Sequence, residues 1–279
     1  IVSIIDTKVD QELTLSDTFT IAEAEDVVDE HELDADDIID AAFHTASNMT
    51  SGALLLRRDD DFPAGLMRME RPPHVLYTSG DLALLESPLT AIVGSRKITP
   101  AQQVVVSALG GVAGGVVSGG AFGTDTVAMT AALERGDPVV EVLGTGVGYP
   151  FGWDDHSFNQ RVEKQGLVIS EYPRGTEPNT KRLMRRNEII AGLSHTYVVC
   201  AAQFKSGSYS GLRRAEKMGI PIRVVPGTPA LDDYVSRHPE SCVSGIDEFP
   251  KGYEDEDPMT IELPEFSPDM FAAARQQSA

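Results

Sequence analysis

The feature that most constrains this chain is a series of six short apolar runs, separated by stretches with helical spacing. The runs are "TAIVGSR" (90–96), "GVVSGG" (115–120), "PVVEVLGTG" (138–146), "LVISEYP" (167–173), "TYVVCAA" (196–202) and "IPIRVVPG" (220–227). Short runs without polar alternation are strands covered on both faces. The segments between them, among them "TPAQQVVVSALGGVAG", "TDTVAMTAALERG" and "SYSGLRRAEKMG", space their apolar residues as amphipathic helices do. Strands alternating with helices form a parallel sheet wound on both sides. The predicted class is therefore α/β, a doubly wound and mainly parallel Rossmann-like sheet over residues 90–228.

Outside that core the character of the chain changes. "TIAEAEDVVDEHELDADDIIDAAFHTA" has apolar residues three to four apart and predicts a small acidic helical module at about 12–56, within an N-terminal region 1–62. Residues 63–89, rich in proline, read as a connector, and residues 229–279 as an acidic, proline-containing tail. The formal net charge is -20, but charge distribution decides what a chain attracts. Residues 1–62 hold 17 Asp and Glu against 3 Lys and Arg, whereas residues 174–223 hold 10 Lys and Arg against 3 Asp and Glu. A nearly neutral core with one basic sector thus lies between two acidic ends.

Two cysteines without metal-ligand spacing, Cys200 and Cys242, suit a reducing compartment. The opening residues lack the basic and apolar regions of a secretory signal, and they lack an initiator Met, so the numbering is expected to begin inside the natural chain. No apolar run reaches 18 residues. A cytoplasmic protein without a membrane span is expected. The six histidines form no catalytic set; His44 and His195 beside apolar stretches read as packing residues. Asp154, Asp155 and His156 in "WDDHSFNQ" read as a polar loop with a helix cap, and no metal or cofactor is expected.

Ligands of open α/β sheets sit outside the carboxyl ends of the strands. Those ends carry Gly94-Ser95-Arg96-Lys97, then Ser118 to Asp125 ("SGGAFGTD"), Gly144-Thr145-Gly146, Ser170 to Pro173, and Lys205-Ser206-Gly207-Ser208. Glycine turns let backbone N–H groups approach an anion, and helix N-termini favour negative charge. "RRNEIIAGLS" (185–194) adds Arg185, Arg186 and Asn187, read as the N-terminal end of a helix whose apolar half packs on the sheet. With Arg96, Lys97 and Lys205, these arginines are expected to make the edge an anion site, with Glu188 pointing away or pairing with Arg185.

Neither common nucleotide motif is present. There is no G-x-x-x-x-G-K-[ST], and "GGVAGG" (110–115) precedes a strand instead of following one. Two alternatives stay open: nucleotide or nucleotide-signal binding without chemistry, and phosphoribohydrolysis of nucleoside monophosphates. The second rests on a faint P-G-G-x-G-T-x-x-E echo in "SGGAFGTDTVAM" and on Glu171 and Asp125 as strand-end acids.

Taken in order, "AIVGSRKITP", "VVSGGAFGTD", "VEVLGTGVGYP", "VISEYPRGTEPN", "RRNEIIAGLS", "KSGSYSG" and "VVPGTP" resemble the DNA-processing protein DprA (Smf) family over about residues 72–228. The resemblance implies a Rossmann-like domain that binds single-stranded DNA on its basic edge, acts as a homodimer and assists loading of a RecA-type recombinase. It also implies DNA contacts at Gly94, Ser95 and Arg96, at Ser118, Gly119 and Gly123, at Arg185, Arg186 and Asn187, and at Lys205, Ser206 and Gly207; Lys97 joins them on the same turn. Phe122 and Glu188 stand where the family carries cations, Met129 near a histidine and Cys200 near a glutamate. The chain thus reads as a divergent member, of the kind a phage or mobile element encodes. Phe122 is either a base-stacking ring or a partly buried turn aromatic, and a stacked base is worth about 1–3 kcal/mol.

Overall fold

The computed structural model describes residues 54–57, 59–149 and 156–243. The expected acidic helices up to residue 53, Asp154 and Asp155, and the tail beyond 243 lie outside the described residues. Eight strands form one sheet in the order β1-β2-β6-β5-β4-β3-β7-β8. The six expected strands are β3 (Thr90–Gly94), β4 (Val116–Ser118), β5 (Val139–Leu143), β6 (Leu167–Ser170), β7 (Thr196–Cys200) and β8 (Ile222–Val225), all mutually parallel.

Two strands were not anticipated. β1 (Leu54–Leu56) comes from the end of the expected helical module and β2 (Val75–Gly80) from the expected connector. They add an antiparallel edge, β1 on β2 and β2 on β6. Pro72 and Pro73 mask the strand signal of "HVLYTSG", yet Val75, Leu76 and Tyr77 are all buried once β6 supplies a ladder. The stretch after residue 228 also continues onto the sheet: helix α6 (Pro229–Arg237) buries Leu231 and Tyr234, and Cys242 bridges to Val224.

Helices cover both faces because successive strand residues point to opposite sides. Ala91, Val93, Val140, Val142 and Val199 face one core, capped by α4 (Thr180–Leu193), α5 (Gly207–Lys217) and α6 through Ile189, Ile190, Leu212 and Leu231. Ile92, Val116, Val139, Leu143 and Val198 face the other, against α1 (Pro100–Val112), α2 (Thr124–Arg135) and α3 (His156–Gln165) through Val106, Leu109, Ala128, Met129 and Val162. The chain begins the parallel part at β3, works outward to β6, then returns to the other side of β3 as β7. The switch in winding direction opens a crevice between the carboxyl ends of β3 and β7, which is where such sheets take ligands.

α1 and α2 meet at Gly110. A Cβ there would lie 2.3 Å from the Ala128 carbonyl oxygen and 2.8 Å from its Cα, so the two backbones touch through hydrogen alone. Gly110→Ala should destabilise the fold by about 1–3 kcal/mol, the usual scale for overpacking, despite alanine's better helix propensity. Chemical denaturation that shows an unchanged or higher midpoint would contradict this packing.

Candidate nucleic-acid interface

Three loops interlock at the crevice. The β3 loop runs from Gly94 to Thr99, where the Thr99 hydroxyl accepts from the Gln102 N–H and the Gln102 side chain accepts from the Thr99 N–H, starting α1. The Ser95 hydroxyl accepts from the Lys97 N–H at 3.1 Å. The Ser95 carbonyl accepts from both the N–H and the hydroxyl of Thr124, at 3.1 and 3.2 Å, which ties the β3 loop to the start of α2. From the other side, Ser208 donates its hydroxyl to the Gly94 carbonyl at 2.8 Å. Asn187 on α4 donates its side-chain N–H to the Gly207 carbonyl at 3.3 Å and holds the β7 loop.

The cations divide into two groups. Arg96, Lys97 and Lys205 are exposed on the rim of the crevice. Lys205 and Phe204 occupy the tip of a turn closed by the Ser206 N–H donating to the Gln203 carbonyl at 3.1 Å. Lys205 adopts φ 61°, a left-handed conformation that costs a non-glycine residue about 1–2 kcal/mol. Ser206 then caps α5 by accepting from the Tyr209 N–H.

Arg185 and Arg186 are placed otherwise than expected. α4 begins at Thr180, with Asn179 accepting from the Arg182 N–H at 2.9 Å, so both arginines lie more than a turn inside the helix and meet no free N–H groups. The start signal is the Pro178-Asn179 pair, whose Asn179 lies six residues upstream of Arg185. Arg185 makes two 2.8 Å bonds to the Glu171 carboxylate, a third to Glu188 at 3.0 Å and a fourth to the Arg71 carbonyl. Although burial opposes the charge, these partners raise its pKa above the ordinary arginine value. Glu188 pairs with Arg185 as expected and also with Arg214 at 2.8 Å.

Arg186 is buried. It donates to the Val142 carbonyl at 3.0 Å and lies directly under Gly119, where a Cβ would fall 1.5 Å from a guanidinium nitrogen. Gly120, at φ 65°, lies against the Glu141 carboxylate in the same way. A side chain at 119 would have to displace the buried Arg186 guanidinium, and one at 120 the Glu141 carboxyl in a left-handed conformation that favours glycine. The Asp125 carboxylate accepts from the Gly119 N–H at 3.2 Å, and Ser118 donates to the Ile92 carbonyl at 2.7 Å. Ser118, Gly119 and Arg186 thus sit beneath the surface and shape the loop that carries Phe122 and Gly123. Phe122 itself is half exposed, not tucked into the turn.

Two carboxyls therefore share one buried guanidinium. Burial raises the pKa of Asp125, opposed by Arg186 and by the Gly119 and Ala121 amides. Glu141 lacks such amides, one of its oxygens has no partner, and burial pushes it up to about 8. Glu141 therefore keeps the proton at neutral pH, and the attraction of Arg186 opposes the rise at both carboxyls. Sequence reasoning did not single out Glu141; a lone acid in the middle of the apolar run "PVVEVLG" is the signal it left. Also unforeseen are exposed Phe204 at the crevice and exposed Lys181 in the first turn of α4.

This geometry defines a class, a doubly wound sheet whose switch-point edge presents cations on polar, glycine-rich turns. The family profile described as DNA recombination-mediator protein A matches residues 53–246, and the chain belongs to that family. It is 34% identical over 173 residues to the DNA processing protein DprA of Streptococcus pneumoniae, covering 61% of each chain. It is 32% identical over 188 residues to the protein Smf of Synechocystis, covering 63% of this chain and 46% of that one. The chain thus spans about half to three-fifths of the length of these relatives. The X-ray structure of DprA from Streptococcus pneumoniae superposes with TM-score 0.68 at 28% identity, over 91% of this chain and 92% of that one. A structure described as showing the single-stranded DNA binding mode of DNA processing protein A from Helicobacter pylori gives TM-score 0.64 at 25% identity, over 71% and 94%.

The buried cluster carries a pH signature. In the unfolded chain Glu141 ionises near 4.5, and in the folded chain near 8. Between those values the folded state holds one proton more, so stability is full below 4.5, falls as pH rises and levels off above about 8. The fall is at most about 1.4 kcal/mol per pH unit. Denaturation at pH 5.5 and 7.5 should show the wild type losing stability with pH and Glu141→Gln losing distinctly less. Equal losses would mean that Glu141 does not hold that proton.

Proposed function

We propose that the chain binds single-stranded DNA, without strong sequence preference, along the carboxyl edge of its sheet, and acts as a binding protein in DNA processing and not as an enzyme. The observation that carries this is the trio Arg96, Lys97 and Lys205, exposed around the β3–β7 crevice and held on turns that the rest of the fold braces. Gly94, Ser95, Gly123, Asn187, Ser206 and Gly207 would line the track, while Ser118, Gly119, Arg185 and Arg186 support it from below. Family membership and the Helicobacter pylori relative's described binding mode favour DNA as the anion. Pairing into a homodimer would lengthen the track, and delivery of the strand to a RecA-type recombinase in the cytoplasm completes the proposal; both rest on the family alone.

The two acids that hydrolysis would need are engaged. Glu171 is gripped by Arg185 through both oxygens, and Asp125 is buried against Gly119 and Arg186. Neither is free to move protons at a bound nucleotide.

Each phosphate neutralised on a single strand contributes about 0.7 to the slope of log affinity against log salt. Replacing Arg96, Lys97 and Lys205 together by Ala should lower that slope by about 2 and weaken binding at every salt concentration. Lys217→Ala, at the far end of α5, should change neither. Anisotropy titrations with an oligothymidylate and with a duplex of equal length test both points, and a triple variant with an unaltered slope overturns the placement.

Incubated with nucleoside monophosphates, the protein should release no free base. Release that stops in Glu171→Gln would replace the binding reading with a phosphoribohydrolase.

A further inference from the structure

We propose that Phe122 and Phe204 are paired base-stacking platforms on either side of the cationic Ser95–Lys97 turn, an inference that rests on the single-strand reading above. Four large apolar side chains are strongly exposed among the described residues, and two of them are these phenylalanines, at 50% and 52%. Phe122 follows β4 and Phe204 follows β7, the two strands that flank β3. Neighbouring strands lie about 4.8 Å apart, so the strand ends that carry the two rings are about 10 Å apart, with Arg96 and Lys97 between them.

Each ring is held outward by its own backbone. Phe122 sits between Gly120 at φ 65° and Gly123 at φ 83°, in a loop anchored by the Gly119 amide on Asp125 and by Thr124 on Ser95. Phe204 sits at the tip of the Gln203–Ser206 turn beside the left-handed Lys205, and its ring meets Tyr209 edge-on, with centroids 5.7 Å apart. A lysine in that conformation and a phenylalanine beside it, turned to solvent, add nothing to the core. Backbone strain of this kind gathers where a ligand is gripped.

The ligand chemistry follows from the combination. Cations take the phosphates, and a ring of either sort accepts any base, since every base has a π-face. Two exposed rings astride exposed cations suit an unpaired strand, because the bases of a duplex are already stacked on one another. The polar rim of cations favours nucleic acid over an apolar protein partner.

The test uses the full chain and two ligands of equal length and charge, an oligothymidylate and an abasic sugar–phosphate oligomer. Wild type should bind the oligothymidylate more tightly. Each Phe→Ala change should weaken that binding by about 5- to 150-fold, the range equivalent to about 1–3 kcal/mol per stacked base. Binding to the abasic oligomer should stay as it was, and thermal stability should fall only slightly, since both side chains are half exposed and Phe204 gives up its edge-on contact with Tyr209. Phe204→Trp should keep the affinity and show emission quenched by the oligothymidylate, whereas Phe204→Leu should behave like the alanine variant. Unchanged oligothymidylate affinity in the double alanine variant overturns the stacking proposal while leaving the cationic edge intact. A double variant that loses self-association and binds the oligothymidylate normally also overturns it, because the rings then face a second copy. Wild-type binding to neither ligand at low salt would instead remove the single-strand reading on which it stands.

Discussion

The contact on which the rest of this edge depends is the burial of the Arg186 guanidinium under Gly119. Arg186 comes from α4, Gly119 from the end of β4, the accepting carbonyl from Val142 on β5 and the acid that attracts the guanidinium, Asp125, from α2. One side chain thereby ties two strands and two helices to one another. Removing one partner of such a buried set leaves an uncompensated charge, a loss of about 3–5 kcal/mol in comparable cases. The glycines are part of the same contact, since any side chain at 119 or 120 would occupy space already held by Arg186 or Glu141.

Charge bookkeeping inside the cluster explains how two acids tolerate one base. Burial favours the neutral form of Glu141 and Asp125 alike, and the attraction of the Arg186 guanidinium opposes that rise at each. Pairing of this kind recurs one residue earlier on α4, where Arg185 is matched by Glu171 and Glu188, and Arg214 on α5 is matched by Glu188. Arg185, Arg186 and Arg214 thus serve as cross-links between elements, through the planar, multi-donor geometry that lysine lacks. On the crevice loops Arg96, Lys97 and Lys205 stay exposed, at the edge where the sheet changes its winding direction.

The turn at Gln203–Ser206 shows the same division between support and presentation. Its hydrogen bond, the Ser206 cap and the Asn187 bond to Gly207 are all internal, so the strained Lys205 and the exposed Phe204 ride on a braced base. A site built that way loses little order on meeting a ligand, which keeps the entropic cost of binding low.

Sequence by itself determined the six parallel strands, the helices on both faces, the glycine turns at the strand ends and the family. Continuous apolar runs and turn residues are local signals, and they survive without any knowledge of partners. It was silent on β1 and β2, because the prolines before β2 hide its pattern and the three leucines of β1 follow on from helical spacing, so that both become recognisable once a neighbouring ladder exists. It also put Arg185 and Arg186 on the surface with Arg96, Lys97 and Lys205, since all five are cations near strand ends. Which of those five is free was decided only in three dimensions. Glu188 is within reach of Arg185 on one helix, but Glu171 lies 14 residues from Arg185, and Asp125 and the Val142 carbonyl lie 61 and 44 residues from Arg186, so only the fold brings these three to their arginines.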